Sequence, residues 1–425
     1  MEQKAGLERV LGPWEVTLSG MGVILGAGIY ALLGQAAALA GNALWLSFLW
    51  AGFVAFFTGL SYAELSSMMP RASAEYEYSR HAFGRKAAFV VGWLIILSGI
   101  IGSATVALGF AGYFGALFGA PIMPSALLLI LALSVLILAG IKQSARVAVI
   151  FTLIEAAGLI IVIILGVPHW GGVDYLEMPH GLGGVFSAAA LIFFAYLGFE
   201  DMVTLSEETR DPEVNIPRGL VLAVLAAIVL YTMVAVSAVS ILGWQRLGES
   251  EAPFADIALA AVGRRGFFLL SLIALFSTTN TVLIMLIAAS RIVYGMASSS
   301  ALPRALASVH PATGTPWAAT LAVILPSMAF VLLQDIGFVA NVANFTLFLC
   351  FIVINAALIV LRYSQPEMKR PFRVPLAVGK MPLIPLFAIA LNAFMLAQLS
   401  LQVLLMGSTL ALLGGLAALI KRHFS

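Results

Sequence analysis

Apolar stretches follow one another so closely in this 425-residue chain that little sequence remains for a water-soluble core. Twelve are recognisable, at about residues 13–35, 43–69, 87–114, 123–140, 147–167, 184–205, 219–243, 267–297, 317–334, 338–361, 382–400 and 403–420. A helix needs about 20 such residues to cross a bilayer, and in lipid it must satisfy its own backbone polar groups. Only 10% of the residues are charged and 62% are hydrophobic, whereas soluble domains carry about 25% charged residues. The pattern predicts an all-α integral membrane protein of 12 transmembrane helices, with residues 1–421 forming a single domain. Gln334, Asp335 and Gly337 between spans 9 and 10, and Gln402 between spans 11 and 12, leave room only for tight hairpins.

Charge distribution gives an orientation. With the N-terminus inside, all 22 Lys and Arg residues except Arg246, Arg264 and Arg265 fall on the cytoplasmic side. The inner loops then hold Arg71, Arg80, Arg85, Lys86, Lys142, Arg146, Arg210 and Arg218. Arg362, Lys369, Arg370, Arg373 and Lys380 follow, with Lys421 and Arg422 at the end. Cytoplasmic loops are enriched in Lys and Arg, so both termini are expected inside. Met1–Gly12 lacks the basic region and cleavage site of a secretory signal, so the first span is expected to be retained. Segments 168–183 and 244–266 read as outer loops, and the prolines from 366 to 385 as an extended connector.

Several function classes lose their basis here. Cys350 is the only cysteine, which excludes an intramolecular disulfide and a cysteine metal cluster. The five histidines, His81, His169, His180, His310 and His423, fall in loops or at the tail. No HExxH, GxSxG or Walker-type motif is present. No catalytic residue, metal site, organic cofactor, nucleic acid or obligatory protein partner is expected, and a membrane-embedded enzyme remains a remote alternative.

The first span carries Gly20, Gly22, Gly26 and Gly28 in the run GMGVILGAGIY. Glycine costs a helix interior about 1 kcal/mol relative to alanine, so the cluster predicts a locally opened helix. Opened backbone at membrane depth is tolerated only where it lines a cavity or is buried in protein, and broken helices hold substrate in many secondary transporters. Span 6 has a second irregularity, Phe193-Phe194-Ala195-Tyr196-Leu197-Gly198-Phe199-Glu200-Asp201. Spans 1–5 (13–167) and 6–10 (184–361) would run in opposite senses, giving a 5+5 inverted repeat with two further C-terminal helices over 382–420. The N-terminal end of a half-helix offers free N–H groups to an anion, and a C-terminal end offers carbonyls to a cation. Two antiparallel breaks therefore suit a zwitterion, its carboxylate at the amides of Gly26, Ala27, Gly28 and Ile29, and its ammonium at carbonyls of spans 1 and 6.

Buried ionisable residues inside spans are functional candidates by default. Glu155 sits in the run VIFTLIEAAGLIIVI and reads as either an ion-coupling group or a hydrogen-bonded structural acid. Glu200 either bridges the broken helix to a neighbour or meets a cationic substrate. Glu64, near the inner end of span 2, reads as a partner for cytoplasmic arginines. Phe194 is a candidate gate, or simply packing. Ser277 and Thr278, in the polar run Ser277–Thr281, either ligate an ion or bond between helices, and Asn341, Asn344 and Thr346 suggest a polar interior to span 10.

The motif G-x-x-x-G-A-G-I-Y over Gly22–Tyr30 resembles the first-helix signature of the amino acid–polyamine–organocation transporters. Phe194–Glu200, Glu207-Glu208-x-x-Asp211-Pro212-x-x-Asn215-Ile216-Pro217-Arg218, Ser61–Leu65, Ser290-Arg291-x-x-Tyr294-x-Met296-Ala297 and Pro371–Pro375 are similar to further patterns of that family, most nearly its bacterial branch related to cationic amino acid transporters. The resemblance implies a leucine-transporter-like fold and transport of an amino acid across a plasma membrane, here a bacterial inner membrane. It implies substrate carboxylate on Gly26, Ala27 and Gly28, ammonium on carbonyls near Ile24 and Phe194–Leu197 (Phe194, Ala195, Tyr196, Leu197, up to Gly198), and Phe194 as the gate. Several relatives place a lysine where Glu155 stands. Their lysine mechanism does not carry over, so the expectation is proton symport through Glu155, with a sodium ion at Glu155, Ser277 and Thr278 or amino acid/polyamine exchange as alternatives.

Overall fold

The computed structural model describes residues 9, 11–70, 74–140 and 145–420. Arg71, Lys142, Lys421, Arg422 and His423 lie outside those residues. The first apolar stretch is two helices, α1 (Pro13–Ile24) and α2 (Gly28–Ala40). The chain continues through α3 (Leu44–Met68), α4 (Ala74–Phe83), α5 (Arg85–Phe118), α6 (Ile122–Leu138), α7 (Ala145–Gly166) and α8 (Gly181–Ile192). Then come α9 (Pro212–Gly248), α10 (Pro253–Val262), α11 (Arg264–Ser298), α12 (Trp317–Val331), α13 (Ile336–Ser364), α14 (Leu383–Ala397) and α15 (Leu401–Ile420). Among the described residues, eight segments are long and apolar enough to cross a membrane, and one of them, Gly28–Met68, is divided by a turn at Gly41–Ala43 into α2 and α3. Shorter apolar helices α6, α12 and α14 occupy the fourth, ninth and eleventh stretches.

Helix is forced where lipid offers backbone no partner; the departures occur where other contacts exist. Segment 244–266 contains α10, a loop helix that the sequence reading took as plain connection, and α4 lies in the segment between α3 and α5. The proline-rich connector carries a two-stranded antiparallel ladder, Ala377–Val378 with Met381–Pro382. Between α12 and α13 the hairpin is as tight as expected. Asp335 caps α13 by accepting from the Phe338 N–H at 2.8 Å, which satisfies one of the donors a helix start leaves free.

The connector is anchored by a buried ion pair. Glu64, fully buried on α3, accepts from Arg362 Nε at 2.9 Å, from Arg362 Nη2, and from the Val374 N–H at 2.7 Å. Arg370 Nε lies 3.5 Å from the same carboxylate. Glu64 is thus the partner of arginines that its sequence position suggested, with the charges compensated by direct bonds as burial demands. Helix α3 packs along α9, which is kinked at Gly243, while α5 packs against both α11 and α13.

Candidate functional site

The first break is short. Helix α1 ends at Ile24, Leu25 closes it with an N–H bond to the Met21 carbonyl at 2.7 Å, and α2 restarts at Gly28. The N–H groups of the first turn of α2 have no partner within their own helix. That of Ala27 is taken by Thr281 Oγ1 of α11 at 3.1 Å. The second break follows α8. Phe193–Tyr196 form a 3₁₀ turn, Leu197 is extended, and Gly198 adopts φ +110°, a conformation that disfavours any side chain. A second 3₁₀ turn runs over Asp201–Glu207.

The breaks face each other at backbone contact. A Cβ on Gly28 would lie 2.7 Å from Ala195 Cα and 3.1 Å from the Phe194 carbonyl oxygen. A Cβ on Gly198 would lie 2.8 Å from the Val23 carbonyl oxygen. Tyr231 of α9 joins them: its hydroxyl lies 2.7 Å from the Ile24 carbonyl and 3.0 Å from the Ala195 carbonyl. The carbonyls assigned from sequence to a substrate ammonium therefore already share a hydroxyl donor. On the C-terminal end of α8, Asn344 Nδ2 donates to the Ala190 and Leu191 carbonyls at 2.8 and 3.0 Å. This is the interhelical bonding that a polar span 10 suggested.

Phe194, Ala195 and Tyr196 are almost fully buried. The Phe194 ring reaches α5 at Gly102, where a Cβ would sit 3.5 Å from Phe194 Cε2. Tyr196 donates to the Phe48 carbonyl at 2.8 Å. Glu200 acts on the opened backbone of its own break. Its Oε2 accepts from the Gly198 N–H at 3.0 Å and so closes its own turn. A cavity of about 260 Å³ runs between α2, α13 and the α14–α15 turn, lined by Gln35, Leu191, Asp335, Asn341 and Gln402. Leu191, in the last turn of α8, is the residue of its lining nearest in sequence to the second break.

Glu155 is buried on α7, beside the first break. Its Oε1 accepts from Asn280 Nδ2 of α11 at 3.2 Å, and Ser277 is its other polar neighbour. Its backbone carbonyl accepts from the Tyr30 hydroxyl at 2.7 Å, tying α7 to the first turn of α2. The Thr278 hydroxyl donates within its own helix, to Ala274 and Leu275. The hydrogen bonds from α11 to Glu155 and to the first break thus include those of Asn280 and Thr281. Both belong to the polar run Ser277–Thr281, and here they bond between helices. Tyr231 is the residue the sequence reading missed, and a tyrosine inside an apolar span was the available signal, because its buried hydroxyl needs a partner.

Glu75 of α4, outside the spans, is half-buried. Burial pushes its carboxyl up to about 7 from an ordinary 4.5, with repulsion from Asp201 adding to the shift. The folded protein holds this proton where the unfolded chain has lost it, so stability falls as pH rises from about 4.5 to about 7. Glu75→Gln is expected to flatten that part of the thermal-stability profile in detergent; an unchanged slope would place the titration elsewhere.

A multi-pass helical membrane chain with two facing helix breaks is organised as a membrane transport protein. Residues 11–416 match the amino acid permease family, and the chain belongs to it. Relatives include the branched-chain amino acid permease BcaP of Bacillus subtilis, 30% identical over 92% of this chain and 88% of the relative. The methylthioribose transporter of the same organism is 31% identical over 90% of this chain and 86% of its own length. The vacuolar cationic amino acid transporter 4 of Arabidopsis thaliana is 29% identical over 85% and 64%. These are transporters and permeases rather than enzymes, in keeping with the sequence reading.

Proposed function

We propose that the chain is a secondary active transporter that carries amino acids across the plasma membrane of a bacterium by alternating access, with proton symport coupled at Glu155 and both termini inside. The observation that carries this reading is the backbone contact between the breaks at Gly28 and Gly198. Gly28 lies against Ala195 and the Phe194 carbonyl, and Gly198 against Val23, which supports reading the N–H groups of the first turn of α2 and the carbonyls at Ile24 and Phe194–Leu197 as donors and acceptors for a zwitterion. Substrate carboxylate is received at Gly26, Ala27, Gly28 and Ile29, where it shares or displaces the Thr281 hydroxyl that now accepts from the Ala27 N–H. Its ammonium shares or displaces the Tyr231 hydroxyl, and Phe194 closes over it. The breaks stand in the first members of two five-span units, 13–167 and 184–361, whose inverted relation makes alternating access a rocking of one unit on the other.

Reconstitution in liposomes tests the reading. Uptake of a labelled amino acid should be saturable and concentrative under an inward proton gradient. A sodium-gradient arm and a counterflow arm distinguish sodium symport and exchange. The relative named as a methylthioribose transporter makes that thiosugar a specific competitor for the panel. Saturable uptake of it alone, with no amino acid carried, would sink the zwitterion assignment.

A further inference from the structure

We propose that Tyr113 is a positioning residue for the substrate site, because its one hydroxyl holds the first turn of α2 against the loop helix α10. The inference rests on the assignment of substrate carboxylate to that turn. Tyr113 lies on α5 and is fully buried. Its hydroxyl donates to the Tyr30 carbonyl at 2.9 Å and accepts from the Phe254 N–H at 3.3 Å. Phe254 is the second residue of α10, after Pro253, so its N–H is one of the donors that a helix start leaves without an intrahelical partner. Tyr113 therefore caps α10 from another helix while gripping α2.

The contact is reinforced around it. The Phe254 ring packs on Tyr30 with centroids 4.3 Å apart. The chain entering α10 lies directly on both long helices: a Cβ at Gly112 of α5 would come within 2.2 Å of the Glu251 carbonyl oxygen. At Gly34 of α2, one would come within 2.8 Å of the carbonyl oxygens of Leu247 and Ser250. That chain is itself braced, since Ser250 Oγ donates to Asp256 and accepts from the Ala252 N–H. On its other side Tyr30 donates to the Glu155 carbonyl at 2.7 Å. The turn that aims the free amides of α2 is thus clamped between α10 and α7. Loss of the Tyr113 hydroxyl frees one jaw and lets those amides swing away from a common focus.

The experiment compares Tyr113→Phe with the unaltered full-length protein. Substrate affinity and transport are read in liposomes, and hydrogen exchange of residues 27–34 and 253–262 is read in detergent without substrate. The ring stays and both hydrogen bonds go. Expected results are about tenfold weaker amino acid binding, a rise in KM with kcat little changed, and faster exchange in both segments together. Phe114→Leu, one residue away, should leave all three unchanged. Phe254→Ala lies on the loop helix, and should weaken binding in the same direction even if Tyr113→Phe fails to fold. Unchanged affinity in Tyr113→Phe, or faster exchange confined to 253–262, would overturn the proposal. If the unaltered protein binds no amino acid, the transport reading fails on its own, and the paired exchange of the two segments still tests the Tyr113 joint.

Discussion

Alanine at Gly28 is expected to abolish amino acid binding and transport, whereas alanine at Gly26 leaves both measurable. The difference lies in what each new methyl meets. At Gly28 it would sit 2.7 Å from Ala195 Cα and 3.2 Å from the Ala195 nitrogen. Backbone cannot rotate out of the way, so the breaks must separate. At Gly26 the nearest atom is Thr281 Oγ1 at 3.2 Å, the end of a side chain able to yield by a few tenths of an ångström. Overpacking a well-packed interior costs about 1–3 kcal/mol. Here the strain falls on the two backbones that form the site, so binding is lost ahead of the fold. The check is a thermal-shift and ligand-binding comparison of the two purified variants. Full affinity in Gly28→Ala would show that substrate sits elsewhere.

Glu155→Gln should remove gradient-driven accumulation while leaving substrate binding and counterflow measurable. Glutamine keeps the shape and can still accept from Asn280 through its carbonyl oxygen. The Tyr30 contact, made to the Glu155 backbone carbonyl, is untouched. What disappears is the ability to take and release a proton or to neutralise a sodium ion. A loss of tenfold or more in steady-state accumulation corresponds to about 1.4 kcal/mol of driving force and is readable with pH or sodium gradients in liposomes. If the variant accumulates substrate with unchanged pH and sodium dependence, Glu155 is a structural acid and coupling belongs to another group. Because Glu155 and Tyr113 hold the first turn of α2 from opposite sides, their variants separate coupling from affinity: Glu155→Gln alters accumulation, Tyr113→Phe alters KM.

Much of this architecture could be read along the chain. Lipid leaves an apolar segment no choice but to bond its own backbone, so all twelve apolar stretches are helical in the structure apart from local breaks. Glycines in the first stretch marked a break because glycine weakens helix at that very place. The motif over Gly22–Tyr30 pointed to the right family, which the match over residues 11–416 establishes. Glu64 was legible for a similar reason: a carboxylate at the end of an apolar span must find a cation, and arginines were near in the expected topology. Local chemistry, family and class thus lie in the order of residues.

Other features depend on residues far apart in the chain. Tyr231 meets Ile24 and Ala195, Asn280 meets Glu155, and Thr281 meets Ala27. Each bond joins different helices, and its existence depends on helix rotation and depth, which hydropathy does not encode. The same dependence revealed α10 in what read as connection. An apolar sequence states that a helix will form and where it opens. Only packing determines which side chains arrive at the opening, and here it brings the two breaks into backbone contact and sets hydroxyls and amides from α5, α9 and α11 around them.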